Sequence, residues 1–252
     1  MGAYVLVHGP WCWKKLVPFL ESAGHRVVTP TLTGLGERAD LLSPEVGLGT
    51  QILDVAGLIE EDNLSEVVLM GHSYAGMVIT GAADRVRDRI RRLVYLDTFV
   101  PRDGDSMRSV APLVIGVFLL QARLRGDGWR VAPPTPEQFD VTEEPDRSWV
   151  KSSLTAHPLK SLNDHLRLTD PEIVSRFPRT HIHCGHGGRL ERLAQRALAR
   201  RPQPPRDPGW RLRRLDTGHD CMITEPRAGR PTSRGLARMS RGRSRPRGQK
   251  PG

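Results

Sequence analysis

The 252-residue chain predicts an α/β fold: a mostly parallel, doubly wound sheet with an inserted cap and a disordered C-terminal tail. Three observations predict it. Six short apolar runs recur with helix-length stretches between them, the rhythm of a parallel sheet built from crossovers. A lone serine, Ser73, stands at a strand-to-helix corner in VVLMGHSYAGMV, residues 67–78. The rhythm is then lost between Pro101 and about Phe177, where a Pro-rich stretch, VAPPTPEQF, and several short helical pieces stand. An insertion of that size after a central strand reads as a cap over a site.

The elements follow in order. AYVLVH (Ala3–His8) and Arg26–Thr29 are β-branched runs that predict the first two strands. The glycines of TLTGLGER lack the full dinucleotide pattern, so Gly34 and Gly36 are loop residues and not a dinucleotide fingerprint. Glu66–Met70 predicts a buried strand, and Tyr74–Ala83 a helix of small residues lying close against the sheet. Arg92–Asp97, Thr180–Cys184 and Trp210–Leu215 predict the remaining strands. The apolar segment Val110–Leu120 holds Pro112 and Gly116 and is too short to span a bilayer. The expected organisation is a core over 1–100, a cap over 101–177, the rest of the core over 178–227 and a tail over 228–252.

Charge is unevenly spread. The net charge is +10, yet residues 1–188 carry a net −3 and residues 189–252 a net +13. After Pro226 there are nine basic residues and no acidic one. With no aromatic residue for base stacking, this tail reads as solvated and disordered rather than as a nucleic-acid-binding segment. Cys12, Cys184 and Cys221 are odd in number and scattered, which suggests reduced thiols. No charged leader with an apolar signal region precedes the first strand, so a cytoplasmic location is expected and no membrane partner. Oligomeric state is not readable.

Ser73 is either a nucleophile or a helix cap. In G-x-S-x-G hydrolases the corner is strained, the flanking residues are small and the hydroxyl stands exposed above the sheet. Here the pattern is G-H-S-Y-A-G, with Ala75 at the fifth position and Gly76 following. Strand before and small-residue helix after favour the nucleophile.

The nucleophile stretch, the opening YVLVHG, the segment GHRVVTPTLTGLGERADL and the late TGHDCMITEP together resemble the α/β-hydrolases, specifically bacterial relatives of the plant methylesterase and hydroxynitrile lyase family. The resemblance covers roughly residues 3–184 and 207–227. It implies a Ser–His–acid triad without cofactor. The base is then His219, last in the order Ser, acid, His and set in a Thr-Gly-His turn after a strand. His72 adjoins the serine but points away from it; His8, ending the first strand, supports the oxyanion loop and edges the pocket. The acid is Asp97, which ends RLVYLD on the same sheet edge as Ser73, or else Asp97 caps the following turn and Glu191 is the reserve.

Departures accompany the resemblance. The oxyanion donors are the N–H of Tyr74 and one from HGPWCW, a loop about four residues short; Pro10 has no N–H, so the second donor shifts to Trp11 or Cys12 or is missing. Trp129, with Trp11 and His8, is expected to shape the substrate pocket. The HIHCGH cluster does not converge on a metal, because His181 and His183 share one strand face and Cys184 the other. Gly185–Arg206 and everything after Arg227 read unlike the family; shifted reading frames in the coding DNA, or else simple divergence, would produce such Arg-, Gly- and Pro-rich runs.

The leading reading is a serine hydrolase that cleaves small carboxylic esters through an acyl-enzyme on Ser73. Two alternatives stand beside it. Cyanohydrin cleavage on the same scaffold is disfavoured, since the family's lyases carry lysine and threonine where Asp220 and Pro10 stand. A catalytically impaired ligand-binding member is the other.

Overall fold

The structure, a computed structural model, describes residues 2–185 and 209–227. Glu191, the tail 228–252 and nearly all of 185–206 lie outside the described residues. β1 (Ala3–Val7), β2 (Arg26–Val28), β3 (Val67–His72) and β4 (Ile90–Leu96) come before the cap, and β5 (Arg130–Val131) and β6 (His157–Pro158) lie within it. β7 (Arg179–Cys184) and β8 (Trp210–Leu215) follow. The main sheet has the order β2-β1-β3-β4-β7-β8, every pair parallel, while β5 and β6 pair antiparallel by themselves.

Side-chain alternation explains why the central strands are apolar on both faces over most of their length, Arg91 and Arg92 near the start of β4 and His72 at the end of β3 being the exceptions. Val5, Val7, Leu69, Leu93 and Tyr95 enter one core layer, with Ile52, Val55, Met77 and Ile79 of the helices. Tyr4, Leu6, Met70, Val94 and Leu96 enter the other, against Trp13, Leu16 and Ile223. The short helix α1 (Val17–Glu21) flanks the second layer, and α2 (Leu48–Glu61) packs on α3 (Ala75–Arg85) in the first. Helix α3 starts one residue later than the composition suggests, because Tyr74 is its N-cap.

The inserted stretch contains α4 (Met107–Val110), α5 (Pro112–Arg125), α6 (Asp146–Ser153), α7 (Leu159–Asn163) and α8 (Pro171–Arg176). Ile115, Ala122, Val131, Leu159 and Leu162 form a small core of their own that meets Tyr74. Val141 and Val150 join the second layer of the main core, and α8 packs on α3. Thus the insertion is tied down on both sides of the serine corner. Helix α5 leaves Leu113, Val117, Leu120 and Leu124 exposed. No helix among the described residues is long and apolar enough to cross a membrane.

Candidate active site

Ser73 follows β3 with a φ of 53°, a left-handed conformation that L side chains adopt only under constraint. The neighbours supply the constraint. A Cβ on Gly71 would lie 2.6 Å from the carbonyl oxygen of Ala75, and one on Gly76 would lie 2.5 Å from Thr98 Oγ1. The corner therefore needs glycine at 71 and 76, while position 75 accepts alanine, whose side chain is buried. Thr98 Oγ1 donates to the Ser73 carbonyl (2.5 Å), and the Ser73 N–H donates to Leu96 O (3.3 Å), so the corner is fastened to β4.

Asp97, just past β4, also has a positive φ, 42°. Its Oδ2 accepts from His219 Nδ1 at 2.7 Å. Its Oδ1 accepts from the Cys184 N–H (2.8 Å) and from His183 Nδ1 (3.2 Å). Burial alone would raise the pKa of this carboxyl. The hydrogen bonds from His183 and His219, the charge on His219 and the Cys184 N–H overcome that and hold it well below the usual carboxylate range. A fixed anion thus faces Nδ1 of His219. Phe139 stacks on the His219 ring (centroids 5.7 Å apart), and His72 Nε2 donates to the His219 carbonyl (3.1 Å).

Ser73, Asp97 and His219 line one cavity of about 1160 Å³. Its other walls are chiefly apolar, with Leu35, Phe99, Met107, Phe118 and Leu162 among them. His8, Trp11 and Tyr74 line it as well. Burial, with His219 and His157 nearby, lowers the His8 pKa to about 3, and burial lowers that of His157 to about 4, so both rings are neutral at neutral pH. His72 is fully buried and does not line the cavity.

The short loop after β1 uses one of its N–H groups internally and leaves another open. Pro10–Trp13 forms one 3₁₀ turn with Pro10 at its start. The Cys12 N–H is already donated to Gly9 O at 3.1 Å, whereas the N–H groups of Trp11 and Tyr74 take no backbone partner among the described residues. Such free first-turn donors are what a developing oxyanion needs.

Trp129 requires a correction: it does not line the cavity. It follows the positive-φ residues Asp127 and Gly128, its ring lies against the Arg130 guanidinium (5.3 Å), and its carbonyl accepts from the Leu159 N–H (2.8 Å). It thereby closes the β5–β6 pair, and Val131, Ala132 and Pro134 reach the cavity instead. The sequence reading also passed over Phe139, His157 and His183 as wall residues. Only the i, i+2 spacing of His181 and His183 hinted at them, and both do line the cavity.

One group of possible metal ligands stands among the described residues: His72, His219 and Asp220, within 4.8 Å. The donors do not suit an ion. His72 Nε2 is bonded to the His219 carbonyl and His219 Nδ1 to Asp97. The three cysteines are free and buried.

Comparison with known proteins agrees with this geometry. Residues 4–229 match the Alpha/beta hydrolase family. The chain is 37% identical over 248 residues to the carbendazim hydrolyzing esterase of Nocardioides sp. (strain SG-4G), covering 90% of this chain and 96% of that protein. It is 33% identical over 117 residues to methylesterase 8 of Arabidopsis thaliana, a match of 41% of this chain and 40% of that protein. It is also 36% identical over 108 residues to an alpha-hydroxynitrile lyase of the same plant, with 39% and 40% covered. Among solved structures, an extracellular alpha/beta-hydrolase from a Paenibacillus species superposes with a TM-score of 0.70 at 24% identity, over 90% of this chain and 95% of that one. The chain belongs to the alpha/beta hydrolase family and is an esterase-type enzyme within it.

Proposed function

We propose that the protein cleaves carboxylic esters through an acyl-enzyme on Ser73. The observation that carries this is the Asp97–His219 hydrogen bond opening onto the cavity that Ser73 also lines. In this reading His219 takes the Ser73 proton as the hydroxyl attacks the ester carbonyl, and Asp97 holds the ring in the Nδ1–H tautomer and stabilises the imidazolium. The oxyanion sits at the N–H groups of Tyr74 and Trp11. The protonated His219 gives its proton to the departing alcohol, and a water activated by the same ring releases the acid. The cavity offers more room than a small ester needs, so a bulky apolar group on the acyl or alcohol side is accommodated.

Cyanohydrin cleavage is the weaker reading. A cation beside the leaving cyanide would be needed, and Asp220 follows the histidine here. The test is labelling with a fluorophosphonate, followed by peptide mapping, alongside hydrolysis of p-nitrophenyl acetate. Label on Ser73, and loss of both label and turnover in Ser73→Ala, is the expected result. An unlabelled Ser73, or turnover retained by the variant, sinks the proposal.

A further inference from the structure

A second polar group of the cavity is set up by the cap. His157 Nε2 lies 2.8 Å from Ser161 Oγ, and Ser161 Oγ lies 2.8 Å from the Pro158 carbonyl oxygen. A carbonyl has no proton to give, so the Ser161 proton points to Pro158 at 2.8 Å or to the Tyr74 oxygen that also faces Ser161, and in either case away from His157. Tyr74 O–H donates to Gln51 Oε1 at 2.7 Å, and Gln51 is oriented by its Nε2 donating to Thr33 O at 3.2 Å. Ser161 Oγ can then only accept from His157, which fixes the proton of the ring on Nε2 and leaves Nδ1 with a bare lone pair.

That lone pair has no protein partner among the described residues, and Nδ1 is not among the sealed, unsatisfied polar atoms of the interior. The ring lines the cavity, edge-on to Tyr74 at 5.0 Å, beside the residue after Ser73. Burial lowers its pKa to about 4, so the ring stays neutral near pH 7 and the lone pair is retained. Apolar walls surround it, and an acceptor in such a setting selects for a donor.

We infer that His157 determines specificity: its Nδ1 accepts a hydrogen bond from an O–H or N–H group carried by the substrate, so the preferred esters bear a donor besides the scissile group. This rests on the ester-cleaving reading above. The test uses methyl esters of hydroxyl-bearing aryl acids, with the hydroxyl at the α-carbon or on the ring, each paired with its O-methyl ether. The parent enzyme is expected to favour at least one hydroxyl ester over its ether by roughly tenfold or more in kcat/KM. His157→Phe should shrink that ratio to within about threefold. His157→Asn, which can keep an acceptor oxygen near the Nδ1 position, should restore part of the preference and serves if the Phe variant folds poorly. Equal rates within every pair, or an undiminished preference in His157→Phe, overturns the inference.

Failure of the esterase reading is distinguishable, because it would abolish turnover of every pair. In that event dissociation constants of Ser73→Ala for the same compounds still read the preference, and its absence there counts against His157. Imidazole ¹⁵N shifts at pH 7 give a check free of any substrate: Nε2–H is expected, and Nδ1–H overturns the argument.

Discussion

Replacing Asp220 with asparagine should stabilise the protein at neutral pH and leave it nearly unchanged in acid. Asp220 is 1% exposed, and neither carboxylate oxygen has a hydrogen-bond partner among the described residues. His72 Nε2, 3.7 Å away, is committed to the His219 carbonyl. Burial is the main reason the pKa rises from 3.8 to about 7; His219 opposes the rise, and Asp97 and Asp140 add to it. Between those two values the native carboxyl keeps a proton that the unfolded chain has released. Stability contributed by the site is therefore full below pH 3.8 and is lost as pH climbs to about 7. At about 1.4 kcal/mol per pH unit the loss approaches roughly 4 kcal/mol, an upper figure because water reaching the site would relieve it. Asparagine has the same shape and never ionises. Urea unfolding of parent and variant from pH 4 to pH 8 measures the difference, in which every other titrating group largely cancels. The two should agree within about 1 kcal/mol at pH 4 and separate by roughly 2–4 kcal/mol at pH 8. A difference that is flat across pH, or a variant less stable at pH 8, refutes the reasoning.

Other substitutions probe the corner and the cavity. Asp97→Asn should lower kcat by roughly 10³–10⁴ through loss of the His219 tautomer, read by p-nitrophenyl acetate turnover, whereas Glu191→Gln should stay within about twofold. The reverse pattern would move the acid to the stretch after Cys184. Gly71→Ala drives a methyl to 2.6 Å from a backbone oxygen that has little freedom to move, so denaturation should show a loss of about 1–3 kcal/mol or more, with fluorophosphonate labelling slowed. Trp129→Ala should leave kcat/KM within about twofold, since the ring stands outside the cavity; a large rise in KM would return it to the pocket.

The sheet was legible because its signal is local. Each central strand carries an apolar run that fills two core layers, and all six runs fall within three residues of the observed strands. That Asp97 would emerge on the same edge as Ser73 was reachable from order alone, since it ends the strand after the nucleophile helix. Glu66 was misread as strand because its side chain gives no sign of its φ of 52°. Trp129 was misplaced for a different reason. An aromatic residue in a cap carries no periodicity that says which way it faces, and the β5–β6 pair that turns it aside is only two residues long on each side. His157 was equally opaque, because its tautomer depends on a carbonyl, a hydroxyl and a ring that no sequence spacing relates. The short loop after β1 was readable as a problem, through Pro10, but the choice of Trp11 over Cys12 depended on which N–H the turn itself consumes.

The placement of the carboxylate has a consequence for how freely this enzyme can change. Ser73 and Asp97 follow neighbouring strands whose last paired residues are His72 and Leu96, so one strand pair sets the spacing between hydroxyl and acid. Only the turn carrying His219 must be delivered from farther along the chain. Had the acid stood on the connection after β7, the residues beyond Cys184 would have been bound to the chemistry. With Asp97 as the proposed acid, that connection, which reads Gly-His-Gly-Gly-Arg and then runs rich in arginine and proline, supplies no reacting group. On that proposal, changes of sequence between Cys184 and β8 remove no reacting group, and an engineer looking for a place to add a tag or a linker would test this one first.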